Sequence, residues 1–119
     1  MQIRQCIYIG YYKSNSKKLK IGETQQKAIN RARSISKQDF RILWFGELQF
    51  PKKGYGQYAE NVLREYFIAQ NEVKQISADH FEMMDRGESA KNYIKQNILD
   101  IKEYLRENDI KISHEEFKY

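Results

Sequence analysis

Cys6-Ile7-Tyr8-Ile9-Gly10-Tyr11-Tyr12, answered after a polar break by Leu19-Lys20-Ile21-Gly22-Glu23-Thr24, is the stretch whose reading decides the fold. From Ile3 to Tyr12 the side chains alternate. Ile3, Ile7 and Ile9 fall on one face, and Arg4, Cys6, Tyr8, Gly10 and Tyr12 on the other, as the period of two in an extended chain requires. Lys13-Ser14-Asn15-Ser16-Lys17 is a turn cluster, and Leu19 to Glu23 reads as the returning strand of a hairpin. Leu19 and Ile21 share a face there, leaving Lys20 and Gly22 on the opposite one. If the isoleucine faces of the two strands coincide, Tyr8 and Lys20 project together.

Working outward, Thr24 is placed to cap a helix from about Gln25 to Ser36, in which Ala28, Ile29, Ala32 and Ile35 recur at helical spacing and Arg31 lies on one flank. Phe40 to Phe50 reads as a third, well-buried strand, ended by Pro51 and the glycines at 54 and 56. A helix from about Gly56 to Gln70 buries Ala59, Val62, Leu63 and Tyr66, with Glu60 just off that stripe. Asp79 to Met83 reads as a short strand or extended segment. Ser89 to Glu107 places Ala90, Tyr93, Ile94, Asn97, Ile98, Ile101, Tyr104 and Leu105 on one helical face, and the charged tail from Asp109 to Tyr119 is expected to be loosely held. This order predicts an α/β or α+β domain: a small antiparallel sheet of three strands flanked by helices, with an additional C-terminal helix.

At 119 residues, 40% of them apolar, the chain is long enough for one core and too short for two ordinary domains. It has no apolar run of signal-peptide type and nothing approaching the ~20 residues of a membrane span, so a soluble, intracellular (cytoplasmic) protein is expected. The single cysteine, Cys6, with only His80 and His114 elsewhere, provides no ligand cluster of the zinc type. Nor is there a Gly-rich phosphate loop, since Ile9-Gly10-Tyr11 lacks the further glycines. The net charge of +5 is unevenly spread. Residues 1–58 carry Arg4, Lys13, Lys17, Lys18, Lys20, Lys27, Arg31, Arg33, Lys37, Arg41, Lys52 and Lys53 against Glu23, Asp39 and Glu47, while the remainder is net acidic. That asymmetry suits a surface facing a polyanion, and equally a solvated face that maintains solubility.

Three patches taken together resemble the GIY-YIG nuclease superfamily: Cys6-Ile7-Tyr8, then Lys20-Ile21-Gly22-Glu23-Thr24 followed by Arg31, then Glu60 after Ala59. The resemblance spans roughly residues 3–85 and is closest to a phage-associated branch whose second motif reads Lys-Ile-Gly and whose domain closes on a short aromatic segment, here His80-Phe81-Glu82-Met83. Tyr8-Ile9-Gly10 is not itself the second motif, because a later strand carries its own glycine and threonine. Cys6 stands where the family name has glycine, Lys20 where it has the second tyrosine, and Ile35 where several relatives carry histidine.

The resemblance implies a catalytic core over residues 1–85, with the C-terminal helix and tail (86–119) packed on or extending it. It implies hydrolysis of DNA phosphodiester bonds with one Mg²⁺ or Mn²⁺ held by Glu60. Tyr8 would position or deprotonate the water, and Arg31 would clamp the scissile phosphate, the guanidinium fork matching two phosphate oxygens. Lys20 would bind phosphate or tune Tyr8, and Lys17, Lys18, Arg33 and His80 would line the substrate path. Other readings stay open: Tyr8 could pack the sheet, Glu60 could pair with Arg64 one turn on, and Arg33 rather than Arg31 could match the family position. A binding module of the same fold without cleavage, or a protein-interaction domain working through the C-terminal helix, are the competing functions. A small catalytic domain of this kind gains specificity by dimerising or from a partner.

Overall fold

The computed structural model describes residues 4–25, 39–85 and 87–118. The expected hairpin is formed by β1 (Cys6–Tyr12) and β2 (Lys18–Thr24). Their antiparallel register sets Tyr8 opposite Gly22, Ile9 opposite Ile21 and Gly10 opposite Lys20. The isoleucine faces therefore coincide, and Tyr8 and Lys20 do share the other face. Between the strands, the amide of Lys18 donates to the Asn15 carbonyl (3.1 Å) and that of Lys17 to Asn15 Oδ1 (3.1 Å), closing the turn that the polar cluster announced.

Strand β3 (Phe40–Leu48) pairs with the other edge of β1. The register slips between Ile9, opposite Trp44, and Gly10, opposite Ile42, leaving Leu43 as the extra residue of a β-bulge. Both Leu43 and Trp44 consequently enter one buried cluster, whereas strict alternation would have sent them to opposite faces. The segment expected to be helical between β2 and β3 lies outside the described residues.

Among the described residues the sheet has six strands, not three. After α1 (Tyr55–Ile68) come the short strands β4 (Val73–Gln75) and β5 (His80–Met83), and after α2 (Ala90–Glu107) comes β6 (Ile112–Phe117). The order is β4-β5-β2-β1-β3-β6, with every neighbouring pair antiparallel. The three additions lie outward of the hairpin and β3, and they are short or charged, as edge strands are. Their hydrophobic pattern is correspondingly faint. The tail expected to be loose is thus an edge strand held by specific contacts. Trp44 Nε1 donates to Glu115 Oε2 (2.9 Å), Lys102 Nζ pairs with Glu115 Oε1 (2.6 Å), and the Lys118 amide donates to the Leu43 carbonyl (2.7 Å).

Both helices pack on the isoleucine face. Gly54, at φ 82°, takes the left-handed conformation ahead of α1 that a glycine adopts without a Cβ penalty. Ser89 caps α2, its side chain accepting from the Asn92 amide at 3.1 Å. Ala59, Val62, Leu63, Tyr66 and Phe67 from α1 and Tyr93, Ile94, Ile98, Ile101 and Leu105 from α2 join Ile7, Ile9, Leu19, Ile21, Trp44 and Phe81 in one core. The Val, Leu, Ile and Phe side chains among them each contribute about 1.5–3 kcal/mol on burial. The C-terminal helix thus belongs to the same core as the hairpin. On the opposite face Cys6, Tyr8, Phe40, Ile42 and Phe45 make a second buried cluster. No helix among the described residues is long and apolar enough to cross a membrane.

Candidate functional site

Tyr8 faces away from the helices, yet it is only 3% exposed. Its ring lies across Gly22: a Cβ built there would stand 2.3 Å from both Cζ and Oη of the phenol. Phe40 meets it edge-on, with ring centroids 6.0 Å apart. The first-motif tyrosine and the second-motif glycine are thus a packed pair, and the sheet-packing reading of Tyr8 describes its ring.

Four residues along β1, Tyr12 touches the same Phe40 ring at 5.3 Å and then leaves the cluster. Its Oη is 2.7 Å from His80 Nε2. On the far side of that imidazole, Nδ1 lies 2.8 Å from Asp79 Oδ1 and 3.0 Å from Ser77 Oγ. The ladder makes this arrangement possible, because His80 stands opposite Lys20 on β2, and the Ile21 amide fixes the Asp79 carbonyl at 3.0 Å. Burial holds the Tyr12 hydroxyl proton more tightly than in a free phenol, with the negative charge of Asp79 and the neighbouring Tyr8 and Asp39 adding to it. Two cations stand close by. Lys18 Nζ sits 4.9 Å from the centre of the Tyr12 ring, and Lys20 Nζ 5.7 Å from that of Phe40.

Glu60 lies on α1, its side chain 13% exposed, with Oε1 2.9 Å from a guanidinium nitrogen of Arg64. The i, i+4 pair weighed from sequence is therefore formed. Arg64 also reaches Asn61 Oδ1 (2.6 Å) and the Ala78 carbonyl, tying α1 to the loop that carries Asp79. Burial raises the proton affinity of the Glu60 carboxyl. Arg64 opposes that rise, and the charges of Glu23 and Asp79 reinforce it. Glu23 itself sits over the first turn of α1, its Oε2 2.9 Å from where a Cβ at Gly56 would stand, beside amides that favour an anion. Among the described residues no three His, Cys, Asp or Glu side chains are grouped to share a metal ion. Glu60 offers one carboxylate in an acidic neighbourhood, a place where added positive charge is favourable and where Arg64 now provides it.

The sequence-derived candidates thus separate into groups. Tyr8, Lys20 and His80 share the face opposite the helices, and Lys18 joins them through the Tyr12 ring. Lys17 is committed elsewhere, its Nζ donating to the carbonyls of Asp85 (3.0 Å) and Glu88 (2.6 Å). Arg31 and Arg33 lie outside the described residues. The segment from Ala78 to Asp79 lies between the groups, its Ala78 carbonyl accepting from the Arg64 that pairs with Glu60 and its Asp79 carboxylate standing 2.8 Å from His80 Nδ1. Tyr12 and Asp79 carried no such role in the sequence reading. Asp79 adjoins His80, but Tyr12 lies 68 residues from it, and only the strand register brings them together. Compared with protein families, with curated proteins and with solved structures, the chain matches none.

Proposed function

We propose that this protein is a divalent-metal-dependent endonuclease that hydrolyses DNA phosphodiester bonds at the face of the β1–β2 hairpin, with GIY-YIG-like chemistry. The observation that carries the reading is the position of the segment from Ala78 to His80. Arg64 joins its Ala78 carbonyl to Glu60, the one carboxylate that the resemblance makes a metal ligand, while its His80 meets the tyrosine and lysine face of the hairpin. Glu60 suits a hard cation, being an oxygen donor whose acidic surroundings favour positive charge. A Mg²⁺ or Mn²⁺ ion held there would supply Lewis-acid stabilisation of charge on the phosphate. Lys18 and Lys20 draw the phosphodiester to the face and offset the charge that builds during attack. Tyr12 presents the hydroxyl that orients the attacking water, and the enclosed Tyr8 packs beside it. Arg31 is assigned the phosphate clamp on the resemblance alone.

The test is incubation with supercoiled plasmid, with and without Mg²⁺ or Mn²⁺. Metal-dependent conversion to nicked circles is expected. Salt-sensitive DNA binding without nicking under any metal would replace the reading with a binding module of the same fold. The near-complete burial of Tyr8 favours that second reading, because a packed phenol ring needs no catalytic role.

A further inference from the structure

We propose that Tyr12, His80 and Asp79 form a proton relay in which Tyr12 is the catalytic residue that exchanges a proton with the attacking water, and His80 and Asp79 are its positioning residues. This deepens the nuclease reading and rests on it.

The geometry meets the demands of a relay in both of its charge states. With the imidazole neutral, the bare Nε2 accepts from the Tyr12 hydroxyl at 2.7 Å, while Nδ1 bonds Ser77 Oγ at 3.0 Å with Asp79 Oδ1 2.8 Å away. With the imidazole charged, both nitrogens carry protons, Nε2 now donating to the phenolic oxygen and the positive ring lying against the Asp79 carboxylate. No partner has to move between the two. Tyr12 is half-buried and His80 keeps a side-chain exposure of 22%, so the pair lies at the surface of the sheet, whereas Tyr8 is enclosed. The tightened hold of Tyr12 on its proton makes a free phenolate costly at neutral pH, and the proton has to leave in concert with the reaction.

In the step itself, the water oxygen bonds to phosphorus as its proton passes to Tyr12 Oη, while the Tyr12 proton passes to His80 Nε2. The bond from phosphorus to the leaving oxygen then breaks. The leaving alkoxide takes up a proton from solvent, and the imidazolium, stabilised by the Asp79 carboxylate, returns its proton to solvent. Water is the only co-reactant. The charged and titratable groups that face the relay are Lys18 and Lys20 on β2, Tyr8 on β1 and Asp39 ahead of β3. From α1, Arg64, paired with Glu60, reaches the Ala78 carbonyl beside Asp79.

Nicking rates of the full chain with Mg²⁺, resolved into kcat and KM beside DNA binding by fluorescence anisotropy, test the relay. Tyr12→Phe is expected to lower nicking at least ~100-fold with DNA affinity retained. His80→Gln and Asp79→Asn should each lower kcat at least ~10-fold with KM and DNA affinity unchanged, and Asp79→Glu should restore kcat in part. Tyr12→Phe nicking at the wild-type rate, or Asp79→Asn with an unchanged kcat, would overturn the relay and leave the nuclease reading standing. Absence of metal-dependent nicking by the wild type would overturn both.

Discussion

Tyr8 and Gly22 stand opposite one another in the β1–β2 ladder, and the phenol ring fills the volume that a side chain at position 22 would need. The pair locks the hairpin register, and with it the placement of Lys20 opposite His80. A one-residue slip would turn every side chain of β2 to the other face.

Gly22→Ala is accordingly expected to cost about 1–3 kcal/mol, the range for forcing a methyl group into a filled space. In a Tyr8→Ala background the same methyl enters vacated volume and the cost should vanish, giving a coupling of at least ~1 kcal/mol. Denaturant melts of the two single variants and the double variant measure it. Equal costs in both backgrounds would show that the ring moves aside.

Glu60→Gln keeps the shape of the side chain and an acceptor for Arg64 but removes the charge that a metal requires. Nicking should fall to background while the thermal melt changes little. Because the folded carboxyl holds its proton more tightly than an unfolded one, its ionisation works against folding as pH rises through the raised value. The variant should therefore lose less stability than the wild type between mildly acidic and neutral pH. Near wild-type nicking would place the metal on other residues.

DNA affinity should fall steeply with salt, and neutralising Lys18 or Lys20 should flatten the slope by about one unit each. Lys17→Gln is expected to lower stability instead, since its ammonium joins the β1–β2 turn to the carbonyls of Asp85 and Glu88. Changes at Lys95 or Lys102 should leave the slope alone. A slope equally sensitive to both sets would move the binding face away from the hairpin.

Glu115 gathers Trp44 and Lys102 onto β6. Burial raises its proton affinity, but hydrogen bonds from Lys102 and Trp44 prevail and hold the carboxyl below the usual range. Its stabilising contribution is then complete above the unfolded carboxyl pKa of about 4.3 and is lost as pH falls through the lower folded value. Glu115→Gln should flatten the acid limb of the stability profile. Deleting residues 109–119 should destabilise the fold at every pH, because it uncovers the β3 edge and Leu48. A truncated chain as stable as the whole would return the segment to the loose tail that its charge suggests.

The hairpin, β3 and both described helices were legible in the sequence because each carries a periodic apolar pattern. The alternation around Tyr8 and the stripes through Ala59 and Ile94 specify a local conformation and a buried face together. What periodicity cannot carry is the pairing of distant segments. Strands β4, β5 and β6 are short or charged, and they exist because the hairpin and β3 offer unpaired edges and because Glu115 finds Trp44 and Lys102 across the fold. The same holds at the candidate site. Glu60 and the basic face could be named from residue types and order, whereas the burial of Tyr8, the engagement of Lys17 and the meeting of Tyr12 with His80 and Asp79 follow from a sheet register that joins residues far apart in the chain. Residue type determined which chemistry this protein could carry, and tertiary packing decided which of those side chains meet, since hydrogen bonds of under 3 Å depend on the relative placement of whole elements.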